Sequence, residues 1–323
     1  VRVMLCLCDL LEREGDAYAY ALQVGEKQEE LIGSPFGQDA GYRPREHYKR
    51  IGLGAYLQGI ILESRLAPDE AAKVYTRMLT YEPDSELAKQ ALERANSKKL
   101  IPPGSGVLHV FALTGPGPYY TPGDAAPTEL AMRIAQVAAA IVLNSPVPLM
   151  QTNVPVPMVK WQERPALMNF WVGDHDYSLL PGLDVGQVAR QQHEANMPIY
   201  LARAVVRRAS KTAITTAAGK AGRHAAGHNR PEGALIELLA GVGNLIWTAA
   251  EKSDTRSWST LPAEIQVGRV ELPAGTHDIY FGPGMQREVT ISDGKESYVV
   301  IVRPNVTRMG AAIVDKLSRP GNK

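Results

Sequence analysis

The run from Asp184 to about Ala221, DVGQVARQQHEANMPIYLARAVVRRASKTAITTAAGKA, is the longest unbroken pattern in the chain. Apolar or small residues recur at Val185, Val188, Ala195, Ile199, Ala202, Val206, Ala209 and Ala213. This alternation of three and four residues draws one apolar stripe down a helix. Arg190, Glu194, Arg203, Arg207 and Lys211 fall largely off the stripe, where water can solvate them. Asp184 suits the helix start, because its carboxylate can accept free backbone N–H groups while Gln187 reaches back. Pro198 removes one backbone donor, so a kink is expected, or a helix ending near Asn196 with a second starting at Pro198. A helix of this length must bury its stripe against another layer, which already excludes an all-β chain.

The rest of the composition narrows the class without naming a function. With 323 residues there is room for two or three cores, and 45% hydrophobic against 21% charged residues is ordinary for a globular protein. A formal net charge of +1 gives no general attraction to nucleic acid or to an anionic membrane. The two cysteines, Cys6 and Cys8, lack the partners of a metal or redox pair and read as two buried thiols. The most apolar run, about Ile134 to Leu143, is half the roughly twenty residues a membrane span needs. Residue 1 is Val and the chain opens directly in a helical pattern, so we expect a processed or trimmed chain.

Residues 1–98 read as helical throughout. Leu5 to Leu11, Ala17 to Leu31, Tyr48 to Leu62, a helix opened by Pro68-Asp69 and one opened by Pro83-Asp84 give five helices, with a loop at Gly33 to Gly41. Gly59, Ala71, Tyr75, Leu79 and Pro83 stand at the spacings of a tetratricopeptide repeat, in which small residues let two helices approach and an aromatic ring fills the space. A generic helical hairpin accounts for the same residues. The repeat reading makes Gly59, Ala71, Tyr75 and Leu79 the groove for a protein partner. KKLIPPGSG ends this array. Val107 to Leu113 then alternates as a strand, TGPGPYYTPGDAAP reads as a loop, and Thr128 to Leu143 as an amphipathic helix. Strands follow at Val154 to Trp161, pushed to a sheet edge by Pro155 and Pro157, and at Ala166 to Val172. Residues 218–233 read as a flexible loop and 234–250 as another apolar helix. Glu264–Leu272, Thr276–Phe281, Arg287–Ile291 and Ser297–Arg303 are short strands separated by Gly- and Pro-bearing turns, the pattern of an antiparallel meander.

In this order of elements, and most specifically in Asp254, Arg256, Trp258, Leu261-Pro262 and Leu272-Pro273-Ala274-Gly275, the chain resembles a family of uncharacterised bacterial envelope lipoproteins with tetratricopeptide-like N-terminal helices. The resemblance implies a secreted protein of the cell envelope, periplasmic or at the cell surface. It also implies peripheral attachment to the outer membrane through a lipid anchor not seen in these residues.

The candidate sites are few. His224 and His228 are four apart, a metal-ligand spacing on a helix, but Gly222, Gly227 and Gly233 favour loop polarity, and no metal is expected. Arg223 and Arg230 with those histidines make a basic loop that could hold an anionic glycan or a lipid headgroup, while the absence of interleaved aromatics argues against nucleic acid. Asp254, Arg256 and Trp258 lie at alternate positions and read either as a clasp over a helix–sheet seam or as a ligand site. Asp174-His175-Asp176 is the one dense acid–imidazole cluster, with no nucleophile beside it in sequence. No nucleophile elbow, phosphate-cradling loop or zinc-hydrolase helix is present. We therefore expect no catalytic residues and no cofactor.

The expected fold is α+β. Tetratricopeptide-like hairpins (1–98) precede a mixed domain (99–305), whose long helices at 184–221 and 234–250 pack on a largely antiparallel sheet ending in a meander at 264–303. A tail at 306–323 is expected to be mobile or to dock on a neighbouring copy. The expected function is a non-enzymatic envelope scaffold or assembly subunit that contacts other envelope proteins or copies of itself. The alternative is a glycan- or peptidoglycan-binding module, and an enzyme with an unrecognised site is third.

Overall fold

A computed structural model of the chain describes residues 1–33, 42–143, 153–225, 255–258, 260–304 and 310–320, with the backbone alone at 140–143 and 211–225. Among the described residues it is an α+β protein of seven α-helices and three sheets. No helix among them is long and apolar enough to cross a membrane.

Five helices come first: α1 (Arg2–Glu12), α2 (Ala17–Gly33), α3 (Leu53–Ser64), α4 (Pro68–Tyr81) and α5 (Glu86–Ser97). Local chemistry sets their limits. Pro68 opens α4, the Ser85 hydroxyl accepts from Ala88 N (3.3 Å) at the head of α5, and Arg13 and Lys98 close α1 and α5 in the left-handed conformation. The α3 sequence LGAYLQGIIL is apolar almost all round, and every residue from Leu53 to Leu62 is buried. Such a helix belongs inside a protein, not on a surface. At the α3–α4 crossing Gly59 is required: a Cβ there would stand 2.2 Å from the Tyr75 ring.

The strands are β1 (Ser105–Pro116), β2 (Tyr119–Ala125), β3 (Val154–Lys160), β4 (Asn169–Val172), β5 (His175–Ser178), β6 (Leu180–Asp184), β7 (Pro262–Pro273), β8 (Gly275–Tyr280), β9 (Gln286–Ile291), β10 (Glu296–Arg303) and β11 (Ala311–Val314). The central sheet has the order β11-β10-β1-β7-β6, and the smaller one β5-β4-β8-β9. β1 is buried on both faces. Phe111 and Leu113 join Ile265, Val267, Tyr298 and Val300 against helices α1 to α5. Leu108, Val110 and Ala112 face the small sheet through Phe170, Ile279 and Val289. The molecule is thus layered as helices, central sheet and small sheet, and the core runs unbroken across the change from helix to strand at 98/99.

The third unit joins α6 (Glu129–Leu143), α7 (Val185–Ala225) and the β2–β3 ribbon around Ala131, Ala135, Val154, Leu201 and Val205.

Several expectations are corrected. The 264–303 strands do not form one meander. Gly275, at φ 141°, turns the chain out of the central sheet, the β8–β9 hairpin completes the small sheet, and β10 returns to pair in parallel with β1. β1 takes the place between β7 and β10 because its continuous apolar run suits a strand covered on both sides. Residues 119–125 of the expected loop form β2, which pairs with β3 and places Pro122 opposite Pro157, as a two-edged ribbon tolerates. The long helix covers α6 and this ribbon, while the N-terminal helices cover the central sheet. Its buried face holds part of the expected stripe and extends beyond it. Ala195, Ala202 and Ala209 of the stripe are buried and Val185, Val188, Ile199 and Val206 half so, while Leu201, Ala204 and Val205 beside it are buried as well.

Helix α7 runs through Pro198 as one element and continues to Ala225. The proline turn is braced from outside, where the Tyr42 hydroxyl donates to Ala195 O (2.6 Å) and the Asn196 amide to the Tyr48 hydroxyl (2.6 Å). Gly219 and Gly222 do not stop the helix among flanking alanines, since each costs only about 1 kcal/mol relative to alanine. At its start the Asp184 carboxylate accepts from Gln187 N at 2.7 Å, as the sequence suggests. The end of the expected tail docks on its own chain: β11 pairs with β10, and Lys316 N donates to Leu11 O (2.8 Å). Cys6 is buried but Cys8 is exposed, since two residues along a helix turn the side chain away. The expected helix at 234–250 lies outside the described residues.

Candidate functional site

Two places gather polar chemistry. The first is a cavity of about 280 Å³ between the C-terminal ends of α1, α3 and α5 and the helix-facing side of the central sheet. Strand register sets its floor: Tyr298 on β10 and Arg269 on β7 line it, and His109 on β1 is opposite both, buried beneath the lining. Along the same faces the pattern is apolar at one end (Phe111, Val267, Val300) and polar at the other.

Glu63 ties three helices together. It accepts from the Tyr75 hydroxyl (2.6 Å) and from Arg94 through Nε and Nη2 (2.8 and 3.0 Å). Burial opposes the Arg94 charge, but this bidentate pairing outweighs it and raises the guanidinium pKa. Arg13 donates to Asp315 (3.1 Å) and to Glu296 O, and lies 4.6 Å over the Tyr298 ring. Asp315, fully buried, also accepts from Tyr298 N (2.7 Å) and Leu317 N (3.0 Å), so the tail closes this end of the cavity.

His109 is fully buried and stacks on Tyr298 at 5.2 Å. Its Nε2 is 3.7 Å from Glu296 Oε1, within ion-pair reach but too long for a hydrogen bond. Burial lowers the His109 pKa, while Glu296 pulls it the other way. Burial likewise opposes the Glu296 charge, yet His109 and the Tyr298 hydroxyl hold that carboxyl below its ordinary range. Three of the five buried side-chain atoms left without a hydrogen bond among the described residues belong to His109 and Arg269.

The second place is the outer face of the small sheet. Its inner face is apolar (Phe170, Val172, Ile279, Val289, Ile291). Alternation therefore sends Trp171, Asp176, Asp278, Tyr280, Gln286 and Glu288 outward. Trp171 and Tyr280 are cross-strand partners with ring centroids 5.6 Å apart, and are 37% and 40% exposed. Asp176 is opposite Trp171, Gln286 opposite Tyr280, Asp278 opposite Glu288 and Thr276 opposite Thr290. The Ser178 hydroxyl donates to Asn169 Oδ1 (3.0 Å) beside them. The result is an aromatic pair in a carboxylate- and amide-bearing rim.

A third buried carboxylate, Glu264, is engaged by Arg164 and Gln266 and clamps the segment before β4, so its role is structural.

No family model, no curated protein and no solved structure matches this chain.

The sequence-predicted residues lie mostly elsewhere. Gly59, Ala71 and Tyr75 are buried and Leu79 half-buried, so they are the inside of the α3–α4 hairpin and not a partner groove. The ring that fills the inter-helix space consumes the surface a partner would use. Arg256 is exposed and Trp258 is 44% exposed, so more than half of its surface is covered. Asp254, His228 and Arg230 lie outside the described residues, as do the side chains of Arg223 and His224. The Asp174–Asp176 cluster is split: Asp174 is in a turn, while His175 and Asp176 are on β5, with Asp176 beside Trp171. His109, Arg269, Glu296 and Tyr298 were missed, though a histidine inside VLHVFAL is a polar residue in an apolar strand and marks the spot.

Proposed function

We propose that the protein is a non-enzymatic glycan-binding protein of the bacterial cell envelope. The observation that carries this reading is the Trp171–Tyr280 pair on the outer face of the small sheet. Aromatic faces can stack on the apolar faces of sugar rings, and the surrounding Asp176, Asp278, Gln286 and Thr276 offer acceptors and donors to hydroxyl groups. The core of a stable protein interface is depleted of such charges, so two rings among so many polar groups favour a wetter ligand. Among the described residues the outward positions of these strands carry carboxylates and no lysine or arginine, which favours neutral or amino sugars over anionic polymers. The envelope location rests on the sequence resemblance at 254–277.

Binding to purified peptidoglycan and to a soluble neutral polysaccharide tests the reading. Trp171→Ala should weaken binding at least about tenfold, the scale of 1.4 kcal/mol, with little change in melting temperature. Undiminished binding in that variant, or none in the parent protein, sinks it.

A second reading is the envelope scaffold that assembles with other proteins or with copies of itself. It is favoured by charge: the outer face is acidic, whereas α7 carries Arg203, Arg207 and Arg208 within about 8 Å of helix. Those two surfaces on neighbouring copies would make a head-to-tail contact, which can propagate. The α3–α4 crossing, where Gly59 admits Tyr75, supports a tetratricopeptide-like unit whose contacts would use its outer side. Light scattering over a concentration series should show assembly at about 0.01 M ionic strength that dissolves near 1 M, where charges are screened within about 3 Å. Monomers at every concentration and salt argue against it.

A further inference from the structure

We propose that the cavity between the N-terminal helices and the central sheet binds a small oxyanion, a carboxylate or phosphate group, held by Arg269 and Lys295.

The charges decide the sign of the ligand. Six cations line the cavity (Arg13, Arg94, Lys98, Lys99, Arg269, Lys295) against two carboxylates, Glu63 and Glu296. Both carboxylates are engaged, Glu63 by Tyr75 and Arg94 and Glu296 by the Tyr298 hydroxyl with His109 beside it, so neither is kept for an ammonium group. Behind the lining, Asp315 takes Arg13, Asp69 takes Lys98, and Glu271 takes Lys99 and one end of Arg269. Among the described residues Lys295, at the mouth, makes no ion pair, and Arg269 Nε is buried without an acceptor although Nη1 donates to Glu271 (3.2 Å).

Basic residues at helix C-termini are expected, because they complement the negative end of the helix dipole. That accounts for Arg13, Arg94 and Lys98, which close α1 and α5. It does not account for Arg269 in mid-strand or for Lys295 in the β9–β10 turn. A buried guanidinium N–H without an acceptor is unfavourable, and an oxyanion is the group its planar fork fits best. The volume suits a solute near the lower end of small-molecule sites.

Isothermal titration with inorganic phosphate and with citrate, against sodium chloride at matched ionic strength, tests the proposal. Saturable binding of either oxyanion and not of chloride is expected, and the stronger of the two identifies the group. Lys295→Gln and Arg269→Gln should each weaken it at least about tenfold with an unchanged circular dichroism spectrum, whereas Lys160→Gln, exposed on the β2–β3 ribbon, should not. Absence of heat with both oxyanions, equal responses to all three salts, or unchanged affinity in Lys295→Gln overturns it and leaves ordered water as the partner of Arg269.

Discussion

At the scale of single residues, close approach and burial dominate. Gly59 permits the α3–α4 crossing only because it has no Cβ. Gly59→Ala drives that atom into a fully buried ring, which cannot swing out, so it should cost about 1–3 kcal/mol in urea unfolding. His109 gives a pH dependence. Its folded pKa lies below 6.5, chiefly through burial, so below that pH the unfolded chain takes up the proton more readily than the folded one. Stability from this group is therefore complete above about pH 6.5 and is lost as the pH falls through and below it. Glu296, held below 4.5, adds a loss of the same sign only in stronger acid. Between about pH 8 and about pH 5 the parent melting temperature should fall, and His109→Gln should flatten that fall. A variant curve parallel to the parent's assigns the effect elsewhere. Neither residue's role shows in isolation: Gly59 stands at a legible spacing, but what His109 faces depends on two strands more than 150 residues away.

At the scale of elements, the small strand β11 holds the C-terminal segment to the helices. Asp315, just after it, accepts from three backbone N–H groups and from Arg13. Removing that carboxylate strands buried donors and a partly buried cation. Asp315→Ala should thus cost about 3 kcal/mol, the low end for a broken buried pair because Arg13 keeps some solvent. A cost below about 1 kcal/mol in chemical unfolding would show that water replaces the carboxylate freely. Guanidinium groups also guard the open edge of β11, with Arg287 Nε donating to Ala312 O (3.0 Å) and Arg319 Nε to Val314 O (3.1 Å). Such capping restrains edge-to-edge pairing, so an assembly of this protein would use faces rather than strand edges. The five N-terminal helices were legible from periodicity and proline placement, except that the third begins at Leu53 and not at Tyr48. The pairing of β10 with β1 was not, because a parallel neighbour almost 190 residues distant leaves no local mark.

At the scale of the whole molecule, the N-terminal helices and the central sheet share one hydrophobic core. Leu57, Ile60 and Tyr56 are buried in the same cluster as Phe111, Ile265 and Val300. A fragment of residues 1–98 would expose that inner face, at roughly 25 cal/mol for each Å² of apolar surface returned to water. It should melt without cooperativity and bind a hydrophobic dye, while the full chain loses helix and sheet signals of this unit together. A sharp, dye-free melt of the fragment would show the helices to be self-sufficient.

The sequence by itself determined most of the helices and several of the strands, because apolar spacing, caps and breakers act within a few residues, but it did not mark β2 inside a proline-rich stretch, the continuity of α7 through Pro198 or the start of α3 at Leu53. It also determined that the chain mixes helices with sheet. Tertiary structure alone decided which strands are neighbours, that the outward side of β4 and β8 carries an aromatic pair, and that one histidine, one tyrosine and two charged residues meet beneath the helices. Those outcomes depend on which strand can be covered on both faces, a property of distant surfaces fitting together and not of any window of residues.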